Sequence, residues 1–230
     1  MAYHRKISIV GSVVLATDNN NDTGYSTSHT LSAGRDRHVV AVAVAVDGDI
    51  GALSFSVTYD GAAMTGRSSA TDLDAGNEPG YAIWSYSVPN STTAGSKTVT
   101  FAWGGNLNGA RVAIFELANV DPTTPEDAAD DSFNGNQVTT SNASVTTVSD
   151  RAFLLHVTAT DAAMAITPNS SQTVIDNANY SGSSITATAC IMYLNNEAAG
   201  AVASNASFSN VDIAGGMQAF RPIRRRGRSS

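Results

Sequence analysis

Apolar and polar side chains alternate with a period of two along almost the whole chain, in runs separated by clusters of Gly, Asn, Asp and Ser. That period belongs to strands with one face in a core and the other in water. The clearest runs cover residues 6–17, 38–46, 53–59, 81–88, 97–103, 111–118, 143–148, 152–158, 184–194 and 216–221. In 53–59, Leu-Ser-Phe-Ser-Val-Thr-Tyr, odd positions are apolar or aromatic and even ones are hydroxyls. The run 39–46, Val-Val-Ala-Val-Ala-Val-Ala-Val, is apolar on both faces. It predicts a strand covered on both sides, at the centre of the core.

The punctuation agrees. Asp60-Gly61 between two strand patterns signals a two-residue hairpin, whose central positions both need φ > 0. Gly104-Gly105, Asn108-Gly109, Asn134-Gly135 and Gly215-Gly216 mark further joins. Helical periodicity is confined to one short turn at 125–131. No fixed-period repeat and no Pro- or Ser-rich linker emerges. The expectation is an all-β fold: a single antiparallel β-sandwich of the jelly-roll or Ig-like kind, with about twelve strands in two sheets over residues 1–220 and very little helix. Two tandem sandwiches divided near 121–136 are the rival.

Composition fits strands and turns. Of 230 residues only 14% are charged, and Asp outnumbers Glu sixteen to four. The net charge of −7 conceals a segregation: residues 1–220 carry −12, while Arg221, Arg224, Arg225, Arg226 and Arg228 crowd the last ten positions. An acidic body argues against nucleic-acid binding there. The segment 221–230 reads as a basic arm that asks for a partner. The longest apolar run is strand-sized, too short to cross a bilayer, and the first residues read as no secretion signal.

Candidate chemistry is sparse. His4, His29, His38 and His156 are scattered without metal-ligand spacing, no Gly-x-Ser-x-Gly elbow occurs, and Cys190 sits alone in an apolar strand. Asp18, Asn20 and Asp22 place oxygens at alternate positions of a loop that suggests Ca2+, but Thr23 and His29 stand where an EF-hand needs Gly and Glu. An Asx-turn loop is the simpler reading. Asp72, Asp74 and Glu78, and Glu126, Asp127, Asp130 and Asp131, pair carboxylates in loops as solvated charge. Trp84 and Trp103, with Tyr81 and Tyr86, are candidates for a glycan-stacking surface, although alternation sends at least one set of these rings into the core. No catalytic constellation is present, which points away from an enzyme.

The order of segments carries a resemblance. Gly34-Arg35-Asp36-Arg37-His38 and the following apolar run, then 57–65, 81–89, 95–100 and Phe115 to Pro122, resemble an uncharacterised β-sandwich module of bacteriophage structural proteins and some bacterial surface proteins. The likeness covers residues 28–222 and rests on strand and turn motifs. It implies a non-enzymatic virion protein: a capsid decoration or cement protein, anchored by a terminal arm to the major capsid protein or another virion protein. A homo-oligomer, a trimer by capsid geometry, is the accompanying expectation. The start at Met1 and the short Arg-rich end favour the phage context over a multi-module surface protein. A receptor- or glycan-binding appendage is the alternative.

Overall fold

The computed structural model describes residues 2–73, 76–128, 130–169, 171–182, 185–196 and 198–226. In chain order the strands are β1 (Ala2–His4), β2 (Ser8–Asp18), β3 (Asp22–Leu31), β4 (Arg37–Asp47), β5 (Ser56–Tyr59), β6 (Ala62–Ala63), β7 (Thr65–Thr71), β8 (Glu78–Ser87), β9 (Gly95–Leu107), β10 (Gly109–Ala118), β11 (Asp131–Thr147), β12 (Phe153–Thr160), β13 (Thr167–Pro168), β14 (Thr173–Ser181), β15 (Thr186–Asn195), β16 (Gly200–Phe220) and β17 (Arg224–Arg226). Twelve of these are seven residues or longer, every pairing is antiparallel, and the helical content among the described residues is one 3-10 turn at Ile50–Ala52. The all-β class is therefore what the chain adopts. The turn expected at 125–131 does not become a helix: Glu126 bridges Phe220 in extended backbone and β11 begins at Asp131.

At the Asp60-Gly61 hairpin, φ is 50° and 81° at the two positions, and Tyr59 pairs Ala62 across the turn. Strand β4 is buried from Arg37 to Val46. It is the middle of a five-stranded sheet ordered β2-β10-β4-β8-β7. Its Val39, Ala41, Ala43 and Ala45 pack with Phe101 and Trp103 of a four-stranded sheet, β3-β9-β5-β6. Val40, Val42 and Val44, on the other face, pack with Leu155, Val157 and Ile191 of a sheet ordered β11-β16-β12-β15-β14. Ala on one face and Val on the other set the two inter-sheet gaps.

The layering goes beyond the two sheets expected. Register shifts at 135–140 break β11 into halves, and β16, its partner, bends with it. The distal halves, with β13 paired beside them, fold over the outer face of their own sheet, so Ala143, Val145 and Val202 pack with Leu154 and Met217. The first half of the chain is then a five-stranded sheet carrying a four-stranded one, and the second half a six-stranded sheet whose long strands fold back over its outer face. The strand order is the same in both: β2-β10-β4-β8-β7 and β11-β16-β12-β15-β14. Matching turn chemistry accompanies it. Asn108 N–H donates to the Asp47 carboxylate at 2.7 Å, and Asp212 N–H donates to Asp161 at 3.3 Å at the equivalent corner. Several contacts between the large sheets come in matching pairs, β10 with β14 and β16 with β7, β2 with β14 and β11 with β7, whereas those of β8 with β12 and β16 have no counterpart of the same extent. One apolar cluster joins the two repeats.

Candidate functional site

The two ends of the chain meet. Strand β1 pairs with β17, Tyr3 opposite Arg225 and His4 opposite Arg224. The approach to this ribbon is stitched to the body: Arg221 N–H donates to Pro125 O at 2.8 Å, Asp121 N–H to Arg221 O at 2.9 Å, Ile223 N–H to Asn119 O at 2.8 Å and Arg5 N–H to Ile223 O at 3.3 Å. Arg221 Nε lies 3.4 Å from the buried Asp127 carboxylate. The expected arm is thus bound to the body through residue 226, because Phe220 is a core residue and β1 offers a pairing edge. Arg225 and Arg226 join through their backbones, and Arg228 lies outside the described residues.

The ribbon also gathers cations from distant parts of the sequence. Arg5, Lys6, Arg151 and Arg224 are all exposed here, and Arg151 donates to His4 O at 3.2 Å. His4 contacts the Asp150 carboxylate, which holds that acid below its usual range. The N-terminal half of this basic surface was missed in the sequence; the signal was the short run His4-Arg5-Lys6.

The other candidates turn inward. Asp18 is buried, accepting from Trp103 Nε1 at 3.0 Å; burial raises its carboxyl, opposed by that bond. Asn20 N–H donates to Asp18 at 3.4 Å and Gly24 N–H to Asp22 at 3.1 Å, the Asx-turn arrangement. No group of three or more His, Cys, Asp or Glu side chains among the described residues could hold a metal ion. Trp103 is fully buried and Trp84 is 5% exposed, so the two do not form the open stacking surface expected of them; both fill the gap between the five- and four-stranded sheets. Glu78 accepts from Gly51 N–H, Asp127 accepts from the amides of Val148 and Ser149, and Asp131 accepts from Ser144 N–H, so these carboxylates brace loops. Asp72 is buried and Asp74 lies outside the described residues.

Two polar clusters lie in the interior. In the first repeat Arg37 Nε sits 3.9 Å from Glu116 Oε1, both buried, and Glu116 also accepts from Ser32 N–H at 2.8 Å. In the second, His156 is fully buried, with Ser141 Oγ 2.8 Å from Nε2 and Ser204 Oγ 2.6 Å from Nδ1. Burial pushes His156 down to about 3, and burial followed by the nearby Arg67 charge does the same to His38. Neither cluster opens to a ligand; both tie layers together. A groove of about 640 Å³ does open beside β7, lined by Leu53, Phe55, Arg67, Ser69, Trp84 and Asp130. Arg67 is fixed there by Ser85 at 2.6 Å and Glu126 at 2.8 Å.

Compared with family models, curated proteins and solved structures, the chain matches none. No helix among the described residues is long and apolar enough to cross a membrane.

Proposed function

We propose that this chain is a non-enzymatic structural protein that attaches to a larger assembly through the basic ribbon of its two termini. The assembly we assign is a bacteriophage virion, and the role capsid decoration, with the major capsid protein or another virion protein as partner. The observation that carries the reading is the meeting of β1 and β17, which concentrates Arg5, Lys6, Arg151 and Arg224 on an otherwise acidic chain. Guanidinium groups suit such a contact because they stay charged when desolvated and pair bidentately with carboxylates.

Truncation at 221 would also remove backbone bonds that hold the body, so charge reversal is the cleaner test. Arg5→Glu with Arg224→Glu should abolish co-sedimentation with undecorated phage heads, and binding by the unmodified protein should weaken as salt rises. Unchanged affinity in the double variant overturns the anchoring role.

One observation favours a second reading, a glycan-binding appendage. The groove beside β7 combines an aromatic wall at Phe55 with the Arg67 guanidinium and the Asp130 carboxylate. Glycan-array binding lost in Arg67→Ala would support it over the first reading; an array without a hit would remove it.

A further inference from the structure

Ser204, on the distal half of β16, lies between an imidazole and a carboxamide. Its Oγ is 2.6 Å from His156 Nδ1 and 2.5 Å from Gln172 Nε2. The hydrogens have one consistent arrangement. Gln172 Nε2 has only N–H groups to offer and donates to the hydroxyl, so the single Ser204 hydrogen goes to Nδ1. Burial keeps the ring neutral, so Nε2 carries its proton and donates to Ser141 Oγ at 2.8 Å. Ser141 is tied in turn to Thr158 Oγ1 at 2.8 Å. A serine hydroxyl on a neutral imidazole nitrogen, with the ring oriented by a third group, is the arrangement that activates a nucleophile.

Nothing from outside reaches it. Ser204, His156, Ser141 and Thr158 are each at most 2% exposed, and the Phe133 ring stands edge-on to the imidazole. Among the described residues, the side-chain carbonyl group in contact with Ser204 is that of Gln172, in the segment leading into β14. Its carboxamide is poorly served by this place: Oε1 is buried and accepts no hydrogen bond from the described residues. A buried amide with an unmet acceptor is costly, whereas an ester there would bury a weaker acceptor and no N–H.

We infer that Ser204 and Gln172 become joined by an ester, formed once inside the folded chain with release of ammonia. Rotation about the last Gln172 torsion, broad because it is an sp3–sp2 bond, turns Cδ toward Oγ. His156 Nδ1 takes the hydroxyl proton as the Oγ–Cδ bond forms. The imidazolium then gives that proton to Nε2, the Cδ–Nε2 bond breaks with its electron pair on nitrogen, and ammonia leaves past the half-buried Gln172. No oxidant, metal or second substrate enters, and His156 ends as it began. Because the buried ring holds a proton weakly, its imidazolium donates readily to the leaving nitrogen, and a step taken once per chain can be slow. Contact within the fold supplies the effective concentration, and exclusion of water protects the ester from hydrolysis. The product staples the approach to β14 onto the folded-over half of β16. It stands apart from the terminal ribbon and its partner.

The intact mass of the full chain tests this. The folded protein should be lighter than its sequence by one ammonia. After denaturation, chymotrypsin, which cuts at Tyr180 and Tyr193 between the two residues, should yield a branched peptide joining the segments of Gln172 and Ser204. The mapping is needed because Asn108-Gly109 and Asn134-Gly135 can also shed ammonia, as succinimides. Mild alkali should part the branched peptide and leave a glutamate side chain at position 172. Ser204→Ala should abolish the ammonia loss, and His156→Gln should do the same with hydroxyl and amide both in place. Gln172→Ala, at a half-buried position, covers the case in which the interior variants do not fold, and it too should abolish the loss. A parent protein at its sequence mass, or an ammonia loss that survives Ser204→Ala or Gln172→Ala, overturns the inference.

Discussion

Gly109 and Gly182 lie against each other where β10 of the first repeat passes the end of β14 in the second. A Cβ on Gly109 would fall 2.7 Å from the Cα of Gly182, a distance real Cβ atoms do not tolerate. Both neighbours are backbone, so relief requires the repeats to separate. Gly109→Val should therefore destabilise the protein by about 1–3 kcal/mol, the usual penalty of overpacking. Urea denaturation measures it; an unchanged midpoint would mean that the interface yields freely.

Acid should weaken the fold before the carboxylates titrate. His38 and His156 are held neutral by burial down to about pH 3, whereas an unfolded chain protonates them near 6.5. The unfolded state thus binds more protons in this window. Stability is fully present above pH 6.5 and declines as the pH falls toward 3, by up to about 1.4 kcal/mol per pH unit for each histidine. Replacing His156 with Gln should flatten the measured slope by roughly one proton, and an identical slope would mean that His156 is protonated in the native state.

Removing one partner of the interior Arg37–Glu116 pair leaves the other charge buried. Glu116→Leu and Arg37→Met alone should each cost about 3–5 kcal/mol, while the two together should cost less than their sum. A double-mutant cycle by chemical denaturation reads this coupling, and additive losses would mean the 3.9 Å separation is too long to count.

Asp18→Ala should strand the Trp103 indole N–H and lower stability by about 1–3 kcal/mol, whereas Asp18→Asn keeps an acceptor at 3.0 Å and should lose less. Calcium should leave the melting temperature of the parent protein unchanged, because this carboxylate is turned to the indole. A calcium-dependent rise would restore the loop as a cation site.

Burial raises the Cys190 thiol to about 12, aided by the nearby Asp176 carboxylate. The native protein should resist a thiol reagent such as Ellman's at neutral pH and react fully in guanidinium; stoichiometric native reaction would show β15 opening readily.

Alternation of side chains was enough to place β4, β8, β10, β12 and β15, because each alternates or is apolar throughout and the faces of one strand are a local property. The Asp60-Gly61 hairpin was equally legible, since its turn type is a demand on two adjacent residues. Strands such as β3, β7 and β14 were not. Their Thr-, Ser- and Asn-rich stretches resemble loops in composition and become strands by pairing with a neighbour already in place. The duplication left only a faint trace: Asp36-Arg37 and Asp150-Arg151, each followed at the same spacing by an acid, Asp47 or Asp161.

By itself, then, the sequence determined an all-β chain with β4 at its centre, an acidic body and a run of arginines at one end. Only the tertiary structure decided that the sheet of β4 lies between two other sheets, one on each of its faces. It decided also that the arginine run lies against residues 2–4. The reason is physical. Periodicity reports which side of a strand avoids water, but what covers that side is settled by contacts between residues far apart in the chain, which no local pattern records.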